Sequence, residues 1–310
     1  MNAWQSDDTR PIPGVFQNVV EQPVPNRGEV LIQVHAAGVT PSELQWYPTT
    51  HTNVGTNRRH AIPGHEFSGV VVAMGDGVDL KIGQEVFGMN DWYAEGATAE
   101  FCCTVPSAVA QKPARLTHVE AASIPIAALT AWQGLFDRAR LQPGERVLIH
   151  GGSGAVGVIA VQLARWRGAQ VITTASARNR EFLLQLGASQ VIDYRTEQFE
   201  DFSRGVDVVF DTVGGSMLSR SWNVLGPAGR LVTIAADGES TPDERTKQAF
   251  FIVEPNQHQL LEITGLLDSG HLRPIVDAVV PFDQAGAAYV GQNMPRRGHG
   301  RIVVAVIPED

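Results

Sequence analysis

Polar and apolar positions alternate with period two over residues 29–36, the pattern of a strand with one buried face. Residues 67–74 follow as a continuous apolar run closed by Gly75, Asp76 and Gly77, and residues 81–88 and 97–105 repeat this style. Glycine and proline punctuate the joins, so residues 1–117 predict a partly closed β-barrel. Residues 41–62, polar, aromatic and proline-containing, predict a ligand-facing loop. From Val119 the pattern changes. Helical segments are expected over 119–137, then strands at 147–150, 170–174, 190–193, 206–211 and 229–235. Helices at 155–167, 178–186 and 217–225 separate them. Strands alternating with helices imply βαβ units and a parallel sheet. A helix at 257–268 leads into a β-rich tail, 275–310, expected to complete the first domain. The division expected is therefore 1–117 with 256–310, and 118–255.

Between the strand ending at His150 and the next helix stand Gly152, Gly154 and Gly157, a Gly-x-Gly-x-x-Gly turn. One glycine makes the turn, one lets backbone approach a pyrophosphate, and one lets the helix pack on the strand. The helix N-terminus then offers N–H groups and a positive dipole end to phosphate. The motif alone is a weak signal, and the strand before it and the βαβ units after it strengthen it. Gly152, Ser153, Gly154, Ala155, Val156 and Gly157 are thus candidate cofactor-binding residues.

Composition narrows the classes. The chain has 310 residues, 43% apolar and 18% charged, as globular domains do. Its net charge of −9 argues against nucleic acid or an anionic membrane as partner. The two cysteines, Cys102 and Cys103, are adjacent, and neighbouring strand residues point to opposite faces, so a disulfide between them is not expected. The N-terminus lacks a basic region followed by an apolar run, and the apolar run at 121–132 contains Pro125 and is too short for a bilayer. A cytoplasmic protein is expected.

Several motifs, in order, carry a resemblance. They are Gly28 to Leu31 with Ala37 to Val39, Pro63 to Val71, Ala128 to Ala131, Gly144 through Gly157, Leu186 to Ala188, Phe210 to Gly215, and Gly300 to Val303. The chain resembles the medium-chain dehydrogenase/reductase superfamily, and within it the zinc-independent quinone oxidoreductase branch that includes zeta-crystallin. The resemblance implies an α/β protein with a GroES-like barrel domain, a Rossmann doubly wound parallel-sheet domain, an active site between them, and a homodimer. The superfamily's zinc enzymes hold their catalytic metal with Cys, His and Cys. Thr40 stands at the first position, His65 at the second, and Ala127 and Ala128 near the third. One imidazole cannot hold a zinc ion that normally needs three protein ligands. His65 and Glu66 are either structural or placed for substrate or cofactor.

NAD-preferring Rossmann domains place a carboxylate about 20 residues beyond the glycines, on the ribose. The second strand here ends at Thr174, Ala175 and Ser176 without one, and Arg178 and Arg180 follow. Guanidinium groups bind phosphate in a fork, which points to NADPH. The resemblance adds Tyr194 at the 2′-phosphate, Thr130 near the nicotinamide or phosphates, and Val213, Phe251, Ile252 and Val253 at the carboxamide. Without zinc there is no Lewis acid for a simple carbonyl. The acceptor must already be electron-poor, such as a quinone or an α,β-unsaturated carbonyl compound. Candidate catalytic residues are Thr40, Tyr47 and His65, and the substrate cleft is expected at Gln45, Trp46, Trp92 and Tyr93. Thr40 replaces an Asn common in the family, residues 42–47 lack its Asp-containing sequence, and a bound water can serve as proton source. Two alternatives stand beside this reading. One is an alcohol or aldehyde dehydrogenase of the same superfamily, the other a low-turnover NADPH-binding sensor or structural protein.

Overall fold

A computed structural model describes residues 1–7, 14–291 and 295–308. The chain forms two compact units, one of Met1–Ile126, Pro255–Arg297 and Arg301–Asp310, the other of Ala127–Glu254 with Gly298–Gly300.

In the first unit β1 (Asn2–Asp7) pairs antiparallel with β2 (Gly14–Val19). β3 (Val30–Val39) is the hub. Its whole length pairs with β4 (Glu66–Met74) on one side. β4 continues to β5 (Glu85–Met89). On the other side its first half pairs with β6 (Phe101–Thr104). β7 (Val109–Gln111) extends the sheet beyond β5. Residues 41–62 were expected as loop, but Pro41–Gln45 form a 3-10 turn and α1 (Tyr47–Thr50) follows, with proline near the start of both, where no N–H is needed. α2 (His118–Ala122) starts where Thr117 and Glu120 form a capping box. Val30, Ile32, Val34, Phe67, Val71 and Val86 fill the core.

α3 (Pro125–Trp132) and a π-helical segment, Gln133–Arg138, lead into the parallel sheet. Its strands are β8 (Arg146–His150), β9 (Gln170–Ala175), β10 (Gln190–Asp193), β11 (Val206–Asp211) and β12 (Leu225–Thr233). α4 (Ala155–Trp166), α5 (Arg180–Leu186) and α6 (Gly215–Ser221) are crossover helices. The strand order is β10-β9-β8-β11-β12, so the winding reverses between β8 and β11. Open α/β sheets bind ligands at such a switch point, beyond the carboxyl ends of the strands. Two short helices, α7 (Ala236–Glu239) and α8 (Glu244–Ala249), follow the last strand.

The chain then returns to the first unit with α9 (Gln257–Asp268), capped by Asn256, and β13 (Val276–Pro281). The expected β-rich tail is interrupted by α10 (Ala285–Val290), whose small residues pack closely and whose end is turned by Gly291 at φ 67°. β14 (Arg301–Ala305) pairs with β13 and with the second half of β3. Among the described residues no helix is long and apolar enough to cross a membrane.

Candidate functional site

The second unit carries the residues expected to meet the cofactor. β8 ends at His150, and Gly151, with φ 77°, turns the chain. The turn glycine is therefore Gly151, one residue before the motif, while its three glycines have other tasks. A Cβ at Gly152 would overlap Thr173 of β9, and one at Gly157 would overlap the Gly151 carbonyl oxygen. Gly154 is the N-cap of α4, and no side chain caps that helix. The first N–H groups of a helix lack intrahelical acceptors, so this uncapped end is suited to phosphate. Gly152 N–H donates to Thr174 O (3.0 Å), and Gly151 N–H donates to Thr174 Oγ1 (3.2 Å). Thr174 is buried, so its hydroxyl fixes the glycine turn from within.

His150 was not anticipated, although a histidine ending an apolar strand just before the turn is visible in the sequence. It is fully buried. Its Nε2 lies 2.9 Å from Ser221 Oγ and its Nδ1 3.2 Å from Thr174 Oγ1. Burial pushes it down to about 4, so the ring is neutral at physiological pH and cannot repel or attract charge at the turn. At the neighbouring strand end, Asp211 accepts from the N–H groups of Val213 (3.2 Å) and Gly214 (3.1 Å) and from Thr233 Oγ1 (2.8 Å). These bonds leave Val213 outside, half-exposed. Phe251 and Val253 are buried, while Ile252 between them is 53% exposed and alone of the three turns its side chain outward. Thr130 is buried.

At the β9 end Ser176 is buried and Arg178 exposed. Arg180, expected as a second phosphate ligand, makes an ion pair with Glu197 (2.8 Å), whose carboxylate also accepts from Asp193 N–H (2.7 Å). Tyr194 is exposed, its ring 5.7 Å from the Arg195 guanidinium.

The first unit brings together residues far apart in sequence. His65, at the start of β4, is 2% exposed. Its Nδ1 lies 3.1 Å from Glu43 Oε2, and Glu43 Oε1 accepts from Gly64 N–H (2.8 Å). Trp92 packs against His65 at 5.2 Å, and Trp46 meets Trp92 edge to face at 5.0 Å. Arg58 ties the flanking segments by donating to Pro48 O, Tyr93 O and Glu95. Tyr47 is more than half exposed and stacks on His51 at 4.2 Å. Gln45 and Tyr93 are exposed.

Thr40 accepts from Arg301 Nη1 (2.9 Å). Arg301 Nε lies 2.6 Å from Glu66 Oε1, off the line of an aligned hydrogen bond, and Glu66 Oε2 accepts from Ile126 N–H (2.8 Å). Tyr289 Oη lies 2.7 Å from Thr98 Oγ1, and burial raises its pKa well above the usual phenol value. Glu43, Arg301 and Tyr289 were all missed. Glu43 stood inside the segment 41–62 read as a ligand-facing loop, but was not itself named. The other two sit in the tail, where Arg301 belongs to the Gly300 to Val303 motif but neither residue was marked as part of a site.

Burial pushes Glu66 up to about 7, against the opposing pull of Arg301. A carboxyl whose pKa rises on folding favours the folded state fully below its unfolded value of 4.5, and that contribution is lost as pH rises through 7. The stability of the wild type relative to Glu66→Gln should therefore fall by about 3 kcal/mol over this window, measured by urea unfolding at each pH. A difference independent of pH would show that Arg301 offsets the whole burial cost.

Residues 26–114 match the family model described as the alcohol dehydrogenase GroES-like domain, and residues 186–304 that described as zinc-binding dehydrogenase. A probable zinc-binding oxidoreductase, mitochondrial, of Arthroderma benhamiae is 32% identical over 92% of this chain and 91% of its own. The quinone oxidoreductase of Rattus norvegicus is 30% identical over 88% of each. The structure of the quinone oxidoreductase from Coxiella burnetii superposes with a TM-score of 0.87 at 30% identity, covering 99% of both chains.

Proposed function

The chain belongs to the medium-chain dehydrogenase/reductase superfamily, in its zeta-crystallin-like quinone oxidoreductase branch, and we propose that it transfers a hydride from NADPH to a quinone or an α,β-unsaturated carbonyl compound without a metal ion. The observation that carries the cofactor choice is the end of β9. Ser176 and Arg178 stand there with no carboxylate, and Glu197, which follows β10, is engaged by Arg180 and the Asp193 N–H. A carboxylate would repel a 2′-phosphate, whereas a guanidinium binds it.

Supporting a metal-independent reaction, the residues do not fit a zinc ion. Thr40 and Glu66 both face the Arg301 cation, Ala127 and Ala128 offer no ligand, and no cluster of three metal-binding side chains occurs among the described residues. NADPH, when bound, supplies the hydride. The chain's part is then to bind and orient. The α4 N-terminus and the glycine turn hold phosphate, Val213 and Ile252 offer outward apolar side chains for the nicotinamide end, and Trp46 and Trp92 offer an aromatic wall suited to a flat acceptor.

Turnover should be seen with quinones or enones and not with simple aldehydes, following the absorbance of the reduced cofactor. Aldehyde turnover would favour a dehydrogenase of the zinc type, and binding without turnover a sensor. Arg178→Ala should raise KM for NADPH about 10- to 100-fold, the size of one or two charge-assisted hydrogen bonds, with KM for NADH little changed. Arg180→Ala should have a smaller effect, because Glu197 already holds that side chain. Equal kcat/KM for the two cofactors in the wild type would refute the NADPH reading.

A homodimer belongs to the same reading. β12 is one of the two edge strands of the parallel sheet, bridged at Thr233 by Phe250, and edge strands offer unpaired backbone groups to a second copy. Light scattering should give twice the chain mass, and a monomer would remove this element.

A further inference from the structure

Gly298, His299 and Gly300 belong to the second unit although the residues on both sides belong to the first. Gly298 and Gly300 touch the two loops that the cofactor reading uses, and His299 touches the helix that follows one of them. Gly300 N–H donates to Ser153 O of the glycine turn (3.1 Å). Gly298 O accepts from Asn179 Nδ2 (3.4 Å). The His299 ring stacks on Phe182 of α5, with centroids 3.9 Å apart and planes 20° from parallel. The Arg178 guanidinium lies against the Gly298 backbone, so close that a Cβ there would sit 3.0 Å from its Nη2 and 3.3 Å from its Cζ. Gly298 and Gly300 have φ of 86° and 93°, which any other residue adopts only with strain.

We propose that this segment is a positioning element for the 2′-phosphate of NADPH, with His299 anchoring it on Phe182 so that Arg178 is held against Gly298. The inference rests on the NADPH reading. An arginine side chain carries large rotamer entropy, and a phosphate that meets a freely moving guanidinium must immobilise it. A guanidinium already laid on a fixed backbone loses less freedom on binding. His299 therefore acts through Arg178, and its effect falls on ligands that carry a 2′-phosphate. The stack needs a flat ring and not a charge, so phenylalanine can replace it.

The test is titration calorimetry of the full chain with 2′,5′-ADP and with ADP. His299→Ala should weaken 2′,5′-ADP about 3- to 10-fold, as expected when one long side chain loses its pre-organisation, and leave ADP within about 2-fold. His299→Phe should restore the wild-type affinity. Gly298→Ala, which displaces Arg178 directly, should reproduce the selective loss and carries the comparison if His299→Ala does not fold. An unchanged ratio of the two ligands in the variants would overturn the inference, as would an equal loss for both or a failure of His299→Phe to restore binding. A wild type without preference for 2′,5′-ADP would overturn the NADPH reading, and this inference with it.

Discussion

Replacing Gly157 with valine should abolish cofactor binding. A Cβ at this position would overlap the Gly151 carbonyl oxygen and lie 2.7 Å from Gly152 Cα, and both are backbone atoms that cannot step aside. α4 would have to withdraw from the turn, carrying away the N–H groups proposed to hold phosphate. A loss of more than about 100-fold in NADPH affinity is expected, because several hydrogen bonds to charge fail together. Overpacking adds a stability loss of about 1–3 kcal/mol. Fluorescence titration with NADPH reads the first and urea unfolding the second. Gly154→Ala is the contrast, since its Cβ would meet only the Gly151 carbonyl at 3.3 Å, and it should fold nearly as the wild type does. Wild-type affinity in Gly157→Val would sink this account of the turn.

Arg301→Leu should be the most damaging change to the first unit. Arg301 is 6% exposed, its Nε is 2.6 Å from the fully buried Glu66, and its Nη1 donates to Thr40. Removing one partner of a buried ion pair leaves an uncompensated charge and costs about 3–5 kcal/mol. The cost should be greatest above pH 7, where Glu66 would otherwise be ionised, and smaller in acid, where its own proton neutralises it. The double variant Glu66→Gln and Arg301→Leu should recover most of the loss, because neither residue is then charged. Denaturant unfolding of the two single variants and the double variant forms a cycle that measures the coupling. Additive losses would show that the pair contributes nothing beyond its separate burial.

Much of the fold is legible along the chain, for reasons that differ between the units. The parallel sheet reads well because each strand and each helix is a local pattern. α9 was expected at residues 257–268 and β10 at 190–193, and both occur at those bounds. α10 and the β1–β2 pair were not foreseen. α10 is six residues long, four of them Ala or Gly, with too little amphipathic contrast to mark a helix. β2 ends in an exposed stretch, Gln17 to Val19, that carries no apolar alternation of its own and is held as strand by pairing with β1. The residues expected to meet the cofactor also follow local rules. Glycines, a helix start and a strand end lie within a few residues of one another, so their chemistry shows in their order.

What the chain alone determined is therefore the glycine turn, the missing carboxylate at the end of β9 and the alternation of strands with helices. Each depends on neighbours in sequence, where steric limits on backbone and the helix dipole act directly. Only the tertiary structure decided which groups those residues meet. It engaged Arg180 with Glu197, assigned the turn to Gly151, and laid Gly298 against Arg178. It also joined Glu43 to His65 and Arg301 to Glu66. Those partners lie on separate elements, and no local preference encodes a pairing that exists only after the strands have found their register. The reason is burial. A charge is tolerated inside a protein only beside its partner, and the folded sheet, not the order of residues, brings the partner there.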